Sequence, residues 1–450
     1  MAARCSTVAA YVLTREQNVR AGQSDDSARV DASPPAKPGT RSEHGKLVGT
    51  LSPKRPQVDT AGLADIFPYY AGFSFDWACK TLISNQSVEA AIVLDPWNGS
   101  GTTTLAASRV GMPSIGIDLN PVANIVAKLR AINSQPAPMQ FRSGELSPVA
   151  DGDPLLSWFD RETATTIREW SIASSQQTAE TRSLVLAAIF RVVRKLTQNF
   201  QGSNPTWVRK ISSDRSAINC EVDVFDSLML EEQDAVRERI STDTQSAATI
   251  SIIRGNANDL PISSGVVDVV LTSPPYLTRI DYAVAYSREL AILGIDITAD
   301  RTLRGQLMGT TLIRKMDARN YSFQGESARN LISSISQHDS PASRGYYLKQ
   351  ACQYLDDLNR GFDEISRVCK IGASATFVVQ DSYYKDIPIP LADICEEAAV
   401  LRGWKLVEKQ PFEVGRTLVS LNSSARSYTK SPVNETVITL EYHPSSGQLD

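Results

Sequence analysis

The chain has 450 residues, of which 42% are hydrophobic and 21% charged, and its formal net charge is −4. This composition supports a sizeable packed core and excludes wholesale disorder. The acidic balance argues against a surface coated in nucleic acid, while leaving room for one local basic face.

Six cysteines (Cys5, Cys79, Cys220, Cys352, Cys369 and Cys395) are scattered without a CxxC pair. That pattern argues against a disulfide framework or zinc site and for a reducing cytosol. His44, His338 and His443 have no Cys or His at ligand spacing, so no metal is expected. No apolar run approaches the roughly 18 residues of a bilayer-spanning helix, so no membrane association is expected.

In chain order, residues 1–55 have a linker composition, including Pro34, Pro35, Pro38 and Gly39, and are expected to form a mobile tail. A helical pattern over 76–84 leads into a short buried strand at 91–94. A helix over 102–110, a strand over 113–117 and a helix over 122–129 follow. This βαβα rhythm predicts a doubly wound sheet. Residues 131–250 read as a mainly helical insertion, with three- and four-residue apolar spacing over 158–170 and 181–195. Strands are predicted at 250–253, 266–271, 375–379, 404–407 and 436–440, with a long helix over 348–369.

Two loops carry chemistry. The first, Asp95 to Thr103, follows a strand and opens a helix, with Gly99 and Gly101 allowing a sharp turn and close approach of backbone to a ligand. Asp118 and Asn120 close the next strand, where an acidic residue accepts from ribose hydroxyls. Together these features point to a nucleoside cofactor. No Lys follows the glycines, which disfavours a triphosphate loop, and the spacing departs from GxGxxG.

The second loop, Ser273-Pro274-Pro275-Tyr276, ends the 266–271 strand. Its prolines fix the backbone. The Ser273 hydroxyl and the Pro274 carbonyl can accept both protons of an exocyclic amine, and Tyr276 can stack on a flat ring. An amine conjugated to a ring is a poor nucleophile, so acceptors that localise and aim its lone pair supply positioning and charge stabilisation. A base presented this way must first leave the duplex stack.

These residues resemble the site-specific DNA cytosine-N4/adenine-N6 amino-methyltransferases over most of 65–130 and 250–440. Residues 95–103 are similar to that family's DPF-x-GSGTT loop, which holds the methionine part of the cofactor. Residues 116–121 are similar to its ribose-binding strand end, residues 69–73 to its Y-P-A-K-F segment, and 255–261 to the G-D-A…L-P segment at the adenine ring. Arg279, Asp281, Tyr282, Glu289 and Leu290 resemble the run that follows the tetrad. Asn256 stands where Asp is usual and can still accept through its amide oxygen. Trp97 replaces the commoner Phe, and Tyr70 and Gly72 replace Pro and Lys. The insertion is too long for any standard motif order.

The resemblance implies a Rossmann-like class I S-adenosylmethionine-dependent methyltransferase fold, with a mostly parallel seven-stranded sheet, an antiparallel last strand and a helical insertion. The catalytic domain is expected at 56–130 and 251–450, with the insertion, 131–250, a candidate DNA-recognition region. The implied cofactor is S-adenosyl-L-methionine, contacted by Tyr69, Phe73, Asp95, Pro96, Trp97, Gly99, Gly101, Thr102, Asp118, Asn120, Asn256 and Ala257. Ser273, Pro274, Pro275 and Tyr276 are the implied catalytic residues. The serine form of the tetrad is the one more often associated with cytosine N4.

DNA is the implied partner, with a cognate restriction endonuclease or defence-system protein as a candidate companion in a prokaryotic cytoplasm, at the nucleoid while on DNA. Basic residues cluster at 191–215, with Asp214 the one acid in that range, and again after the tetrad at Arg279, Arg301, Arg304, Arg314, Lys315 and Arg319. Arg209, Lys210, Arg279, Asp281 and Tyr282 are the candidate DNA contacts. The alternatives are an adenine-N6 enzyme, an RNA base amino-methyltransferase and a non-catalytic cofactor- or DNA-binding subunit. A 5-methylcytosine enzyme is disfavoured, because its thiolate usually follows a proline and no cysteine here does.

Overall fold

The computed structural model describes residues 52–54, 62–67, 72–85, 91–144, 146–202, 207–242, 248–277, 280–314, 325–413 and 433–445. Nearly all of the expected tail lies outside these residues. The described residues of 53–260 and 264–450 form one compact unit.

This unit opens with α1 (Phe75–Ser84), β1 (Val93–Asp95), α2 (Thr102–Arg109), β2 (Ser114–Asp118) and α3 (Pro121–Arg130), the expected alternation. Helix α1 starts where the Ser74 side chain accepts from the Trp77 N–H. Helix α3 starts where Asn120 Oδ1 accepts from Val122 N–H at 3.0 Å, with Pro121 at its first position. The insertion supplies α4 (Arg161–Ser174), α5 (Ala179–Leu196) and α6 (Val222–Thr242).

Next come β3 (Ile250–Arg254), β4 (Val267–Thr272) and the short helices α7 (Tyr282–Ala285), α8 (Ser287–Ile292) and α9 (Thr302–Gln306). Then follow α10 (Glu326–Gln337), α11 (Leu348–Val368), β5 (Cys369–Gln380), the hairpin β6 (Ser382–Tyr384) and β7 (Ile387–Ile389), α12 (Leu391–Val400), β8 (Trp404–Glu413) and β9 (Asn434–Tyr442).

Seven strands form one sheet in the order β3-β2-β1-β4-β5-β9-β8. Strands β1 to β5 run parallel, and β9 runs antiparallel to both β5 and β8. This is the expected class I arrangement, with the last strand reversed. Strand β8 extends to Glu413, beyond the predicted end at Val407. It is an edge strand whose register shifts between Leu406 and Glu408, and the shift interrupts the apolar alternation by which a strand is recognised.

The helices of the insertion share a core with the elements on either side of it in the chain. Val122 and Leu129 of α3, Trp170 of α4, Phe190 of α5, Met229 of α6 and Leu290 of α8 belong to one apolar cluster. Polar pins reinforce it. Arg194 of α5 pairs with buried Glu289 of α8 at 2.5 Å and stacks on Phe67 with 4.2 Å to the ring centre. Arg168 of α4 binds Asp153 and donates to the carbonyls of Ala291 and Ile292. Among the described residues, no helix is long and apolar enough to cross a membrane.

Candidate active site

The sheet order reverses between β1 and β4, and the open end of such a switch point is where doubly wound sheets bind ligands. The 95–103 loop leaves β1 there and the 273–276 tetrad leaves β4. The two strands are direct neighbours, with Leu94 opposite Val270. Both loops therefore open on the same side.

Asp95 ties the loops together. Its carboxylate accepts from Thr272 Oγ1 at 2.6 Å, Thr103 Oγ1 at 2.6 Å and Trp97 N–H at 3.1 Å. Burial raises its pKa to about 6, against the pull of the Thr103 and Thr272 donors. Asp118, at the end of β2, accepts from Gly99 N–H and Asn120 N–H, both at 2.8 Å. Burial likewise raises its pKa to about 6, opposed by those backbone donors. Gly101 takes a left-handed backbone (φ +85°), and a Cβ there would stand 3.0 Å from the Ala127 Cβ. The turn thus needs glycine for both conformation and room.

A cleft runs between the loops. Of the residues anticipated for the cofactor, Pro96, Trp97, Gly99, Asp118, Asn120, Asn256 and Ala257 line it. Asp95, Gly101 and Thr102 do not line it, and Phe73 packs in the core against Trp77 with ring centres 5.4 Å apart. Tyr69 lies outside the described residues. Asn256 Oδ1 accepts from Asn258 N–H at 3.0 Å, so its amide oxygen closes its own turn.

From the tetrad, Ser273 and Pro275 line the cleft, while Pro274 and Tyr276 are buried. Ser273 Oγ and the Tyr276 hydroxyl are 3.3 Å apart. The Tyr354 hydroxyl of α11 donates to the Pro275 carbonyl at 2.8 Å, and burial holds that phenol well above its ordinary pKa, so it remains a donor.

Of the candidate DNA contacts, Tyr282 lines the cleft. Asp281 is buried, and its carboxylate accepts from Arg304 Nε at 3.0 Å and from the Thr311 N–H and hydroxyl at 3.2 and 2.8 Å. It is committed to holding the 304–311 segment, and that segment brings Gln306, Leu307 and Met308 to the cleft. No motif flagged these three. Arg209 and Lys210 are exposed on the insertion, outside the residues that line the cleft. Arg279, Lys315 and Arg319 lie outside the described residues. Arg191 and Lys195 are paired with Glu232 and Arg314 with Asp357 at 2.7 Å, so much of the basic clustering in the sequence is internal pairing. Among the described residues, no group of three or more His, Cys, Asp or Glu could hold a metal.

Residues 78–128 match the family described as DNA methylase. The chain is 24% identical to the Type II methyltransferase M.BsoBI of Geobacillus stearothermophilus, over 76% of this chain and 78% of that protein. It is 23% identical to the Type II methyltransferase M.AvaI of Nostoc sp., over 74% and 77%. Among solved structures, TrmN from Thermus thermophilus aligns at 11% identity and a TM-score of 0.30, over 82% of this chain and 49% of that one. The family match and the two curated relatives bear out the resemblance carried by the loop and tetrad motifs.

The cleft also fits the cofactor of this class, S-adenosylmethionine. Asp118 offers carboxylate acceptors and Trp97 an aromatic wall, and the buried Asn120 Nδ2 is a donor with no protein partner.

Proposed function

We propose that the chain methylates DNA on the exocyclic amine of cytosine, at N4. The observation that supports this reading most is the shared cleft, which Asp118, Trp97 and Asn120 line together with Ser273 and Pro275. When bound, S-adenosylmethionine supplies an electrophilic methyl group.

The residues of the chain do the rest. Asp118 accepts from the ribose hydroxyls, and Trp97 with Ala257 encloses the apolar parts of the cofactor. Ser273 Oγ and the Pro274 carbonyl accept from the two protons of the amine, which localises its lone pair and aims it along the transfer path. Tyr354 holds the Pro275 carbonyl, so the tetrad backbone does not turn to satisfy it elsewhere. Tyr282 gives the extruded base an aromatic face. The serine at 273 supports cytosine over adenine, because acidic or amide residues at that position are the form associated with adenine N6.

Methylation-sensitive sequencing of DNA from cells expressing the chain, beside cells expressing Ser273→Ala, tests this reading. N4-methylcytosine at one short sequence, absent from the variant, is the expected result. N6-methyladenine at that sequence would transfer the reading to adenine, and no mark at all would end it.

A further inference from the structure

Helix α11 meets three of the segments around the cleft, 95–103, 255–261 and 273–276, with residues at 354, 357, 361 and 364. Tyr354 donates to the Pro275 carbonyl. Asp357 accepts from Asn258 Nδ2 at 3.1 Å. Glu364 accepts from Leu260 N–H at 2.7 Å. Steps of three, four and three residues keep these positions on one helix face. Gly361 sits among them, buried in mid-helix. Its backbone is ordinary helix and does not need glycine for conformation. In mid-helix, glycine is less favourable than alanine, because it loses more backbone freedom on folding.

The side chain it omits explains the cost. A Cβ at 361 would stand 2.7 and 2.9 Å from Cζ2 and Cη2 of Trp97, the far atoms of the indole. The other neighbour, Asn258 Oδ1, would be 3.8 Å away, an ordinary contact. Trp97 is the aromatic wall of the cofactor loop, and its own N–H is held by Asp95.

We infer that Gly361 is a positioning residue for the cofactor. It is the seat that lets an indole, longer than a phenyl ring, stand as the wall of the cleft. The pairing of Trp97 with Gly361 is a geometric fact of this chain; its consequence for ligand binding rests on reading 95–103 as the cofactor loop.

A cycle of Gly361→Ala, Trp97→Phe and the double variant tests the inference, read by thermal unfolding without ligand and by calorimetric binding of S-adenosylhomocysteine. A phenyl ring ends short of the two clashing atoms. Gly361→Ala is therefore expected to lower the unfolding midpoint in the wild-type background and to leave it unchanged or raise it in the Trp97→Phe background. In binding, Gly361→Ala is expected to weaken affinity about tenfold, with most of that loss recovered in the double variant. A midpoint that responds to Gly361→Ala in the same way in both backgrounds overturns the seat. Reversal of the midpoint effect with unchanged affinity in Gly361→Ala overturns its role in positioning the cofactor. If the wild-type chain bound no S-adenosylhomocysteine, the cofactor reading itself would fail, whatever the unfolding cycle gave.

Discussion

Thr272 Oγ1 donates to Asp95 Oδ1 at 2.6 Å, joining the last residue of the strand that carries the tetrad to the first residue of the glycine loop. The two loops of the cleft are thus registered by a buried hydrogen bond, in addition to the strand ladder between β1 and β4.

Removing that donor with the near-isosteric Thr272→Val should cost about 1–2 kcal/mol, because a buried carboxylate loses a partner. It should also raise the Asp95 pKa further, since Thr272 is one of the donors that lower it. Urea unfolding at neutral pH reads the first effect. A variant as stable as wild type would show that the bond contributes nothing.

The two groups of cleft residues should separate kinetically. Ser273→Ala is expected to lower kcat by about a hundredfold while leaving the Kd for S-adenosylhomocysteine unchanged, the scale seen when a donor or acceptor at a reacting group is removed. Asp118→Ala should chiefly weaken cofactor binding. Single-turnover rates and calorimetry distinguish the two. Unchanged cofactor affinity in Asp118→Ala would contradict the ribose assignment.

Asp95 and Asp118 each titrate near pH 6 in the folded chain, against an ordinary value of 3.8. Between those values the folded state holds protons that the unfolded state has lost. Their contribution to stability is therefore full below about pH 4 and is lost as pH rises through 6. Cofactor binding should follow the opposite sign. In the proposed contact, ribose hydroxyls donate to the ionised carboxylate of Asp118, so affinity should rise with pH through about 6 and level off near 7. Calorimetry at pH 5 and 7.5 checks this, with Asp118→Asn expected to flatten the profile. Equal affinities at the two pH values would remove Asp118 from the contact.

Arg209→Ala and Lys210→Ala test the proposed DNA role of the insertion. Each should weaken DNA binding and reduce the salt slope of the binding constant by about one, without changing cofactor affinity. Binding isotherms at several salt concentrations measure the slope. A slope identical to wild type would mean that these side chains meet no phosphate.

Much of this was legible in the sequence because the informative features are local. A β-branched run, a glycine turn and an acidic strand end lie within about 25 residues of one another, and Ser-Pro-Pro-Tyr directly follows its strand. What stayed hidden depends on distant partners. Arg191, Arg194 and Lys195 read as a basic patch, but their acids stand at 232 and 289. Asp281 reads as a candidate DNA contact, but its Oδ2 accepts from Arg304 and Thr311 and its Oδ1 from the Val284 N–H. Gln306, Leu307 and Met308 line the cleft in a segment that Asp281 holds through Arg304 and Thr311, a relationship that no spacing rule encodes.

The most direct measurement is the identity of the nucleoside that acquires label when the purified chain is incubated with unmethylated DNA and S-adenosylmethionine carrying a tritiated methyl group. The label is expected in N4-methylcytosine and to be lost with Ser273→Ala. Label in 5-methylcytosine, or bound cofactor with no label in any DNA, would contradict a cleft built to methylate an exocyclic amine.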